Sequence, residues 1–193
     1  MNICVYGASS DKLDSAYFEA AHELGRLMAL DRHTLVFGGG AGGLMGACAR
    51  GAAEAGGEIV GIAPRFFDEP GVLYERCTRF LYTDTMRQRK QLMEDESEAF
   101  IALPGGIGTF EEFFETLTLK QLGRHGKPMV LLNTLGYYDP LMSMLRAAAD
   151  GRFMSRGCFD LFSLCASPAQ AMDSVINAKT LSGSIKRLAD YTN

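Results

Sequence analysis

Two rhythms of hydrophobic and polar positions run along this chain. Short, nearly solid apolar runs occur at 3–6, 34–37, 58–62, 79–82, 99–102 and 128–132. Each has the length and β-branched or aromatic content of a buried strand. Between them, apolar residues recur at helical spacing. Tyr17, Ala20, Ala21, Leu24, Leu27 and Met28 mark a helix over 15–30, and Phe110, Phe113, Phe114 and Leu117 mark one that ends near 123. Further helices are expected over about 44–55, 86–96, 137–149 and 168–178, with a last strand inside 159–165. Strands alternating with helices predict a Rossmann-like α/β fold: a parallel sheet with helices on both faces and right-handed crossovers. One domain over 1–180 and a polar tail over 181–193 are expected.

Glycine punctuates the strand-to-helix turns. Gly105, Gly106 and Gly108 follow the run at 99–102 and precede the Phe110 helix. Glycine lets backbone N–H groups converge where a side chain would block them. A helix start adds unpaired N–H donors and the positive end of a dipole, which together suit phosphate. A second glycine-rich turn spans 38–46, and 7–11 forms a third. In such sheets ligands bind beyond the carboxyl ends of the strands, so the three turns are expected to share one crevice. A nicotinamide site fits poorly. The first turn has one glycine, Gly7, and Phe37 rather than an acid ends the second strand.

Composition narrows the classes. At 193 residues with 47% hydrophobic content, the chain supports a single core. A net charge of −4 argues against a nucleic-acid partner. The 5 cysteines form no Cys-x-x-Cys pair, so neither a metal site nor a disulfide framework is indicated. No apolar run reaches the length of a membrane span, and no signal sequence stands at Met1. A cytoplasmic protein is expected.

Charged residues beside the central turn supply the candidate chemistry. Thr85 and Gln88 form a capping-box pattern that opens a helix carrying Arg87, Arg89 and Lys90. Lys90 has Glu94 four residues on, and Arg87 can reach back to Asp84. Arg89 has no acid at either spacing. It is either a solvated surface arginine or a guanidinium kept for an anion. Glu111, Glu112 and Glu115 lie off the aromatic stripe of the next helix, where they are either dipole partners or chemistry. Acids bordering a phosphate site repel phosphate, so a catalytic role accounts for them better. Cleavage of an N-glycosidic bond builds positive charge on a sugar, which a carboxylate stabilises. Arg89 with Glu112 therefore suits a nucleoside monophosphate.

The sequence Pro104-Gly105-Gly106-Ile107-Gly108-Thr109-Phe110-Glu111-Glu112 resembles the PGGxGTxxE motif of the Lonely Guy (LOG) family. Met86-Arg87-Gln88-Arg89-Lys90 is similar to its M-x-x-R-K segment. Gly38-Gly39-Gly40-Ala41-Gly42-Gly43-Leu44-Met45-Gly46 is similar to its GGGxxGLMG turn, and Gly136-Tyr137-Tyr138-Asp139-Pro140-Leu141 to a later GYY-x-PL segment. The first turn departs from the family order Cys-Gly-Ser-Ser, with Gly7-Ala8 in place of its first two residues.

The resemblance implies a cofactor-free phosphoribohydrolase that releases free base and ribose 5-phosphate from N6-modified AMP or AMP. It implies Arg89 and Glu112 as the catalytic pair. Substrate contacts would come from Arg89, Lys90, Gly105, Gly106, Ile107, Gly108, Thr109, Phe110, Glu111 and Thr118, with Gly39, Gly40 and Gly43 secondary. No metal is implied, and a homodimer is. Lysine decarboxylation has no support, since no lysine stands in a pyridoxal phosphate context. The alternative is a nucleotide or phosphorylated-cofactor carrier that uses the same cradle without turnover.

Overall fold

A computed structural model describes residues 1–178. The expected tail at 181–193 lies outside the described residues. The strands are β1 (Asn2–Tyr6), β2 (Thr34–Phe37), β3 (Ile59–Pro64), β4 (Arg79–Thr83), β5 (Ala99–Ala102), β6 (Met129–Leu132) and β7 (Ser163–Cys165). The helices are α1 (Ser15–Leu30), α2 (Gly43–Glu54), α3 (Met86–Asp95), α4 (Ile107–Gln121), α5 (Asp139–Asp150) and α6 (Pro168–Ile176). All strand pairs are parallel, in the order β4-β3-β2-β1-β5-β6-β7. The sheet is the expected Rossmann-like one, and its order reverses at the joint of β1 and β5.

Both faces are covered, which is why the central strands are solidly apolar. One core joins Leu24 and Met28 of α1, Leu44 and Cys48 of α2, and Met172 and Val175 of α6 to the sheet. The other joins Met93 of α3, Phe113 and Leu117 of α4, and Met142 of α5. Helix α3 begins on the expected capping box. The Thr85 hydroxyl accepts from the Gln88 N–H at 3.2 Å, and the Gln88 side chain accepts from the Thr85 N–H at 3.2 Å. No helix among the described residues is long and apolar enough to cross a membrane.

The last strand falls inside 159–165 as expected, at Ser163–Cys165, and a 3-10 helix at Arg156–Leu161 precedes it and buries Cys158 and Leu161 in the α4 side of the core. Burial there follows the 3-10 turn rather than a pleat. Helix α5 starts at Asp139, not 137. The Asn133 carboxamide donates to Asp139 at 2.8 Å and accepts from the Tyr138 N–H at 2.6 Å, which locks the preceding turn. Leu135 sits in that turn at φ 53°.

Candidate active site

The three glycine turns meet at the β1–β5 joint, where a parallel sheet opens a crevice. The Ala8 N–H donates to the Pro104 carbonyl at 3.0 Å, and the Leu44 N–H to the Ala8 carbonyl at 2.8 Å. Asp11 accepts from the Gly43 N–H at 2.7 Å. Gly39 and Gly43 have φ of 76° and 60°, a region that disfavours other residues. A Cβ on Gly43 would stand 2.2 Å from the Ala8 carbonyl oxygen. Gly40 instead bridges to Leu73 through its backbone. These glycines hold the turns together.

The cradle at the start of α4 is different. Its N-cap, Gly106, supplies no side-chain cap, so the first-turn N–H groups at Ile107, Gly108 and Thr109 have no helical acceptor. Gly105 is crowded, since a Cβ there would lie 2.0 Å from Thr109 Oγ1. Gly106 and Gly108 are not: nothing lies within 4 Å of where their Cβ atoms would be. Intramolecular packing does not demand glycine at these two positions. The space in front of both is open. Tyr137 donates to the Gly105 carbonyl at 2.5 Å, and Tyr138 to the Leu103 carbonyl at 2.7 Å, bracing the turn from behind. Phe110 packs edge-on against Tyr138, with ring centroids 6.4 Å apart.

One helical turn past the cradle, Glu112 faces Arg89. The guanidinium Nη2 is 3.1 Å from Glu112 Oε1, and the two side chains are only 10% and 11% exposed. Arg89 therefore has an acidic partner that no local spacing reveals, because it comes from the neighbouring helix. Its Nε also donates to the Ile62 carbonyl of β3 at 3.3 Å. Burial pushes the Glu112 carboxyl above its ordinary range; Arg89 opposes this, and Glu111 adds to it. The result is a carboxylate short of water and long on charge neighbours, a pattern found at reacting centres.

Lys90 does not pair with Glu94. It reaches across to α4, where it meets Glu111 and, at 2.7 Å, Glu115. These two hydrogen bonds raise its pKa. Among the described residues Arg87 makes no ion pair with Asp84 either. Glu111, Glu112 and Glu115 thus serve two basic side chains of α3. Thr118 is not brought to the cradle. It is exposed and donates to the Phe114 carbonyl at 2.7 Å, about two helical turns beyond Glu111.

Between α3 and α4 lies a cavity of about 180 Å³, walled by Tyr6, Lys90, Glu94, Glu112, Glu115 and Thr116. The Tyr6 hydroxyl is 3.3 Å from Thr116 Oγ1, and burial pushes its pKa well up. A larger cavity of about 340 Å³ surrounds Lys120 and Met129 at the amino ends of β6 and β7. Neither the glycine turns nor the Arg89–Glu112 pair lines it, whereas Glu112 walls the smaller one. Sequence spacing missed Tyr6, Asp11, Tyr137 and Tyr138. The hydroxyl-to-carbonyl bonds of Tyr137 and Tyr138, the Tyr6–Thr116 hydroxyl contact and the Asp11 bond all join positions at least 30 residues apart.

The family described as "Possible lysine decarboxylase" matches residues 45–175. A cytokinin riboside 5′-monophosphate phosphoribohydrolase of Rhodococcoides fascians is 41% identical over 80% of this chain and 78% of its own length. The Arabidopsis thaliana enzyme named cytokinin riboside 5′-monophosphate phosphoribohydrolase LOG4 is 36% identical over 98% of this chain and 82% of its own. Among solved structures, the molybdenum cofactor carrier protein of Chlamydomonas reinhardtii has a TM-score of 0.69 at 26% identity, covering 91% of this chain and 95% of that one.

Proposed function

This chain belongs to the Lonely Guy (LOG) family, and from that premise we propose that it hydrolyses the N-glycosidic bond of AMP or N6-modified AMP. The observation that carries the reading is the buried Arg89–Glu112 pair set one turn beyond an open N–H cradle. The 5′-phosphate sits on the N–H groups of Ile107, Gly108 and Thr109, where the helix start supplies donors and positive potential. Glu112 lies three residues beyond Thr109, about 5 Å along the axis, the same order as the reach from a 5′-phosphate to its anomeric carbon. As the bond from C1′ to the base nitrogen breaks, its electron pair leaves with the base and positive charge grows on the ribose. The Glu112 carboxylate stabilises that charge and takes a proton from the attacking water. Its low exposure strengthens the attraction, since little solvent screens it. Arg89 fixes the carboxylate and balances its charge. Lys90, held by Glu111 and Glu115, adds positive charge near the phosphate.

The reading extends to a homodimer that works in the cytoplasm. Phe66 at 57% exposure and Phe67 at 39% lie together outside the cores and offer a contact patch. The free thiols suit a reducing compartment.

The test is incubation with AMP, isopentenyl-AMP and adenosine, without added metal or cofactor. Release of base and ribose 5-phosphate from the monophosphates, with poor turnover of adenosine, is expected. Equal turnover of adenosine and AMP would place the phosphate cradle elsewhere. No base released from any purine monophosphate, with nucleotide bound and recovered intact, would favour a carrier, the role named for the Chlamydomonas neighbour.

A further inference from the structure

The turn after β2 begins with Gly38, and Gly38 is distinguished by what surrounds it. A Cβ built there would lie 2.0 Å from Arg89 Nη2, 3.0 Å from Cζ and 3.4 Å from Nε. All three nearest atoms belong to one side chain, and none is backbone. Its φ falls outside the left-handed region, so the backbone itself would accept alanine. The next residue differs on both counts. Gly39 has φ 76°, and its Cβ would meet the Phe80 ring at 2.7 Å. Gly43 is required by the Ala8 carbonyl. Gly38 is the glycine of this turn whose reason lies wholly in Arg89.

The Arg89 guanidinium is held on several sides. The Ile62 carbonyl accepts from Nε, Glu112 stands against Nη2, and Gly38 leaves open the volume that Nη2 occupies. The atom nearest the missing Cβ is thus the same nitrogen that faces Glu112. We propose that Gly38 is a positioning residue: its lack of a side chain seats Nη2 of Arg89 at the distance that pairs it with Glu112. An added methyl group has one soft way out, which is to push the guanidinium off its seat, since flexible side-chain ends yield before backbone does. The fold should survive, and the geometry of the pair should not.

This inference rests on the reading of Arg89 and Glu112 as the reacting pair, but its test has a readout that does not require turnover. Glu112 titration is followed by carboxyl carbon-13 NMR in the wild type, Gly38→Ala, Arg89→Ala and the double variant. Arg89 is the largest influence lowering the Glu112 pKa against burial, with Lys90 also lowering it and Glu111 and Glu115 raising it. Displacing the guanidinium therefore raises it further. Gly38→Ala should shift Glu112 upward, in the same direction as Arg89→Ala, and the double variant should match Arg89→Ala alone. In the hydrolysis assay, Gly38→Ala should cost about 10²-fold in kcat/KM, the scale of a misplacement near 1 Å. In the Arg89→Ala background the same change should cost less than about 2-fold, because coupled residues are not additive.

An unchanged Glu112 titration in Gly38→Ala would overturn the proposal. So would equal losses from Gly38→Ala with and without Arg89, which would mark a plain backbone or packing effect. If the wild type proves inactive on every monophosphate, the functional reading falls, while the titration still decides whether Gly38 seats Arg89.

Discussion

Glu112→Gln is the substitution that most directly probes the chemistry. It keeps the shape and one hydrogen-bond acceptor toward Arg89 Nη2, 3.1 Å away, and removes the negative charge. A unit charge about 4 Å from a developing cation is worth on the order of 4 kcal/mol at an effective dielectric near 20. At 1.36 kcal/mol per tenfold in rate, that corresponds to roughly 10²- to 10³-fold in turnover, within the usual range for losing an acid–base group. Ground-state affinity for AMP should hold or tighten, since a negative charge near a phosphate is gone. The split between kcat and binding separates this variant from Arg89→Ala, where both should suffer because the arginine acts in ground and transition states alike. Single-turnover base release and equilibrium AMP binding supply the two numbers.

The pH profile adds a second reading of the same group. In the proposed mechanism the carboxylate is the active form, and burial raises its pKa, so the acid limb of kcat/KM should lie above the ordinary glutamate range and vanish in Glu112→Gln. For stability the sign is opposite. A raised carboxyl stabilises the fold below its unfolded value near 4.5, and that contribution is lost as pH rises through the folded value. Glu115 is not a neutral control, because it binds Lys90 at 2.7 Å and walls the same cavity. Glu58, exposed beside the amino end of β3, is the proper one, and Glu58→Gln should change nothing. If Glu112→Gln keeps activity within about 3-fold, the charge argument is refuted and the glutamates of α4 are no more than partners for Arg89 and Lys90.

Gly106→Ala should leave thermal stability near the wild type, since its Cβ meets nothing within 4 Å, yet weaken AMP binding by roughly 10-fold by filling the phosphate clearance; unchanged affinity in a calorimetric titration would remove phosphate from this cradle. For assembly, sedimentation at micromolar concentration should give a dimer, and Phe66→Asp should shift it toward monomer; a wild-type monomer would count against the proposed contact.

Much of the fold was legible because buried parallel strands and amphipathic helices each leave a local signature. The stripe of Phe110, Phe113, Phe114 and Leu117 named the α4 face, and Phe113 and Leu117 lie in the core. The capping box placed the start of α3 at Met86. Partnership between helices was less legible. That Arg89 lacked an acid at i±3 or i±4 was a clue that it served something distant, but spacing cannot say what. The same logic failed for Lys90, where Glu94 at i+4 lost to Glu111 and Glu115 from α4. Two carboxylates on a facing helix outcompete a single exposed pair worth a few tenths of a kcal/mol. Gly38 was hidden for a further reason: a missing side chain has meaning only through the neighbour that fills its space.

Placing β1 at the centre of the sheet has a consequence for synthesis. This first strand pairs on one side with β2 and on the other with β5, where Tyr6 lies opposite Ala102. A growing chain can zip β1 to β2 and β2 to β3 early, yet one edge of its first strand stays open until β5 emerges. That edge is apolar and unpaired in the meantime, the kind that invites wrong partners. The glycine turn proposed to hold phosphate follows β5 directly and cannot exist before it. Ribosome-bound chains truncated ahead of residue 99 should therefore bind no nucleotide, however well their first four strands have formed.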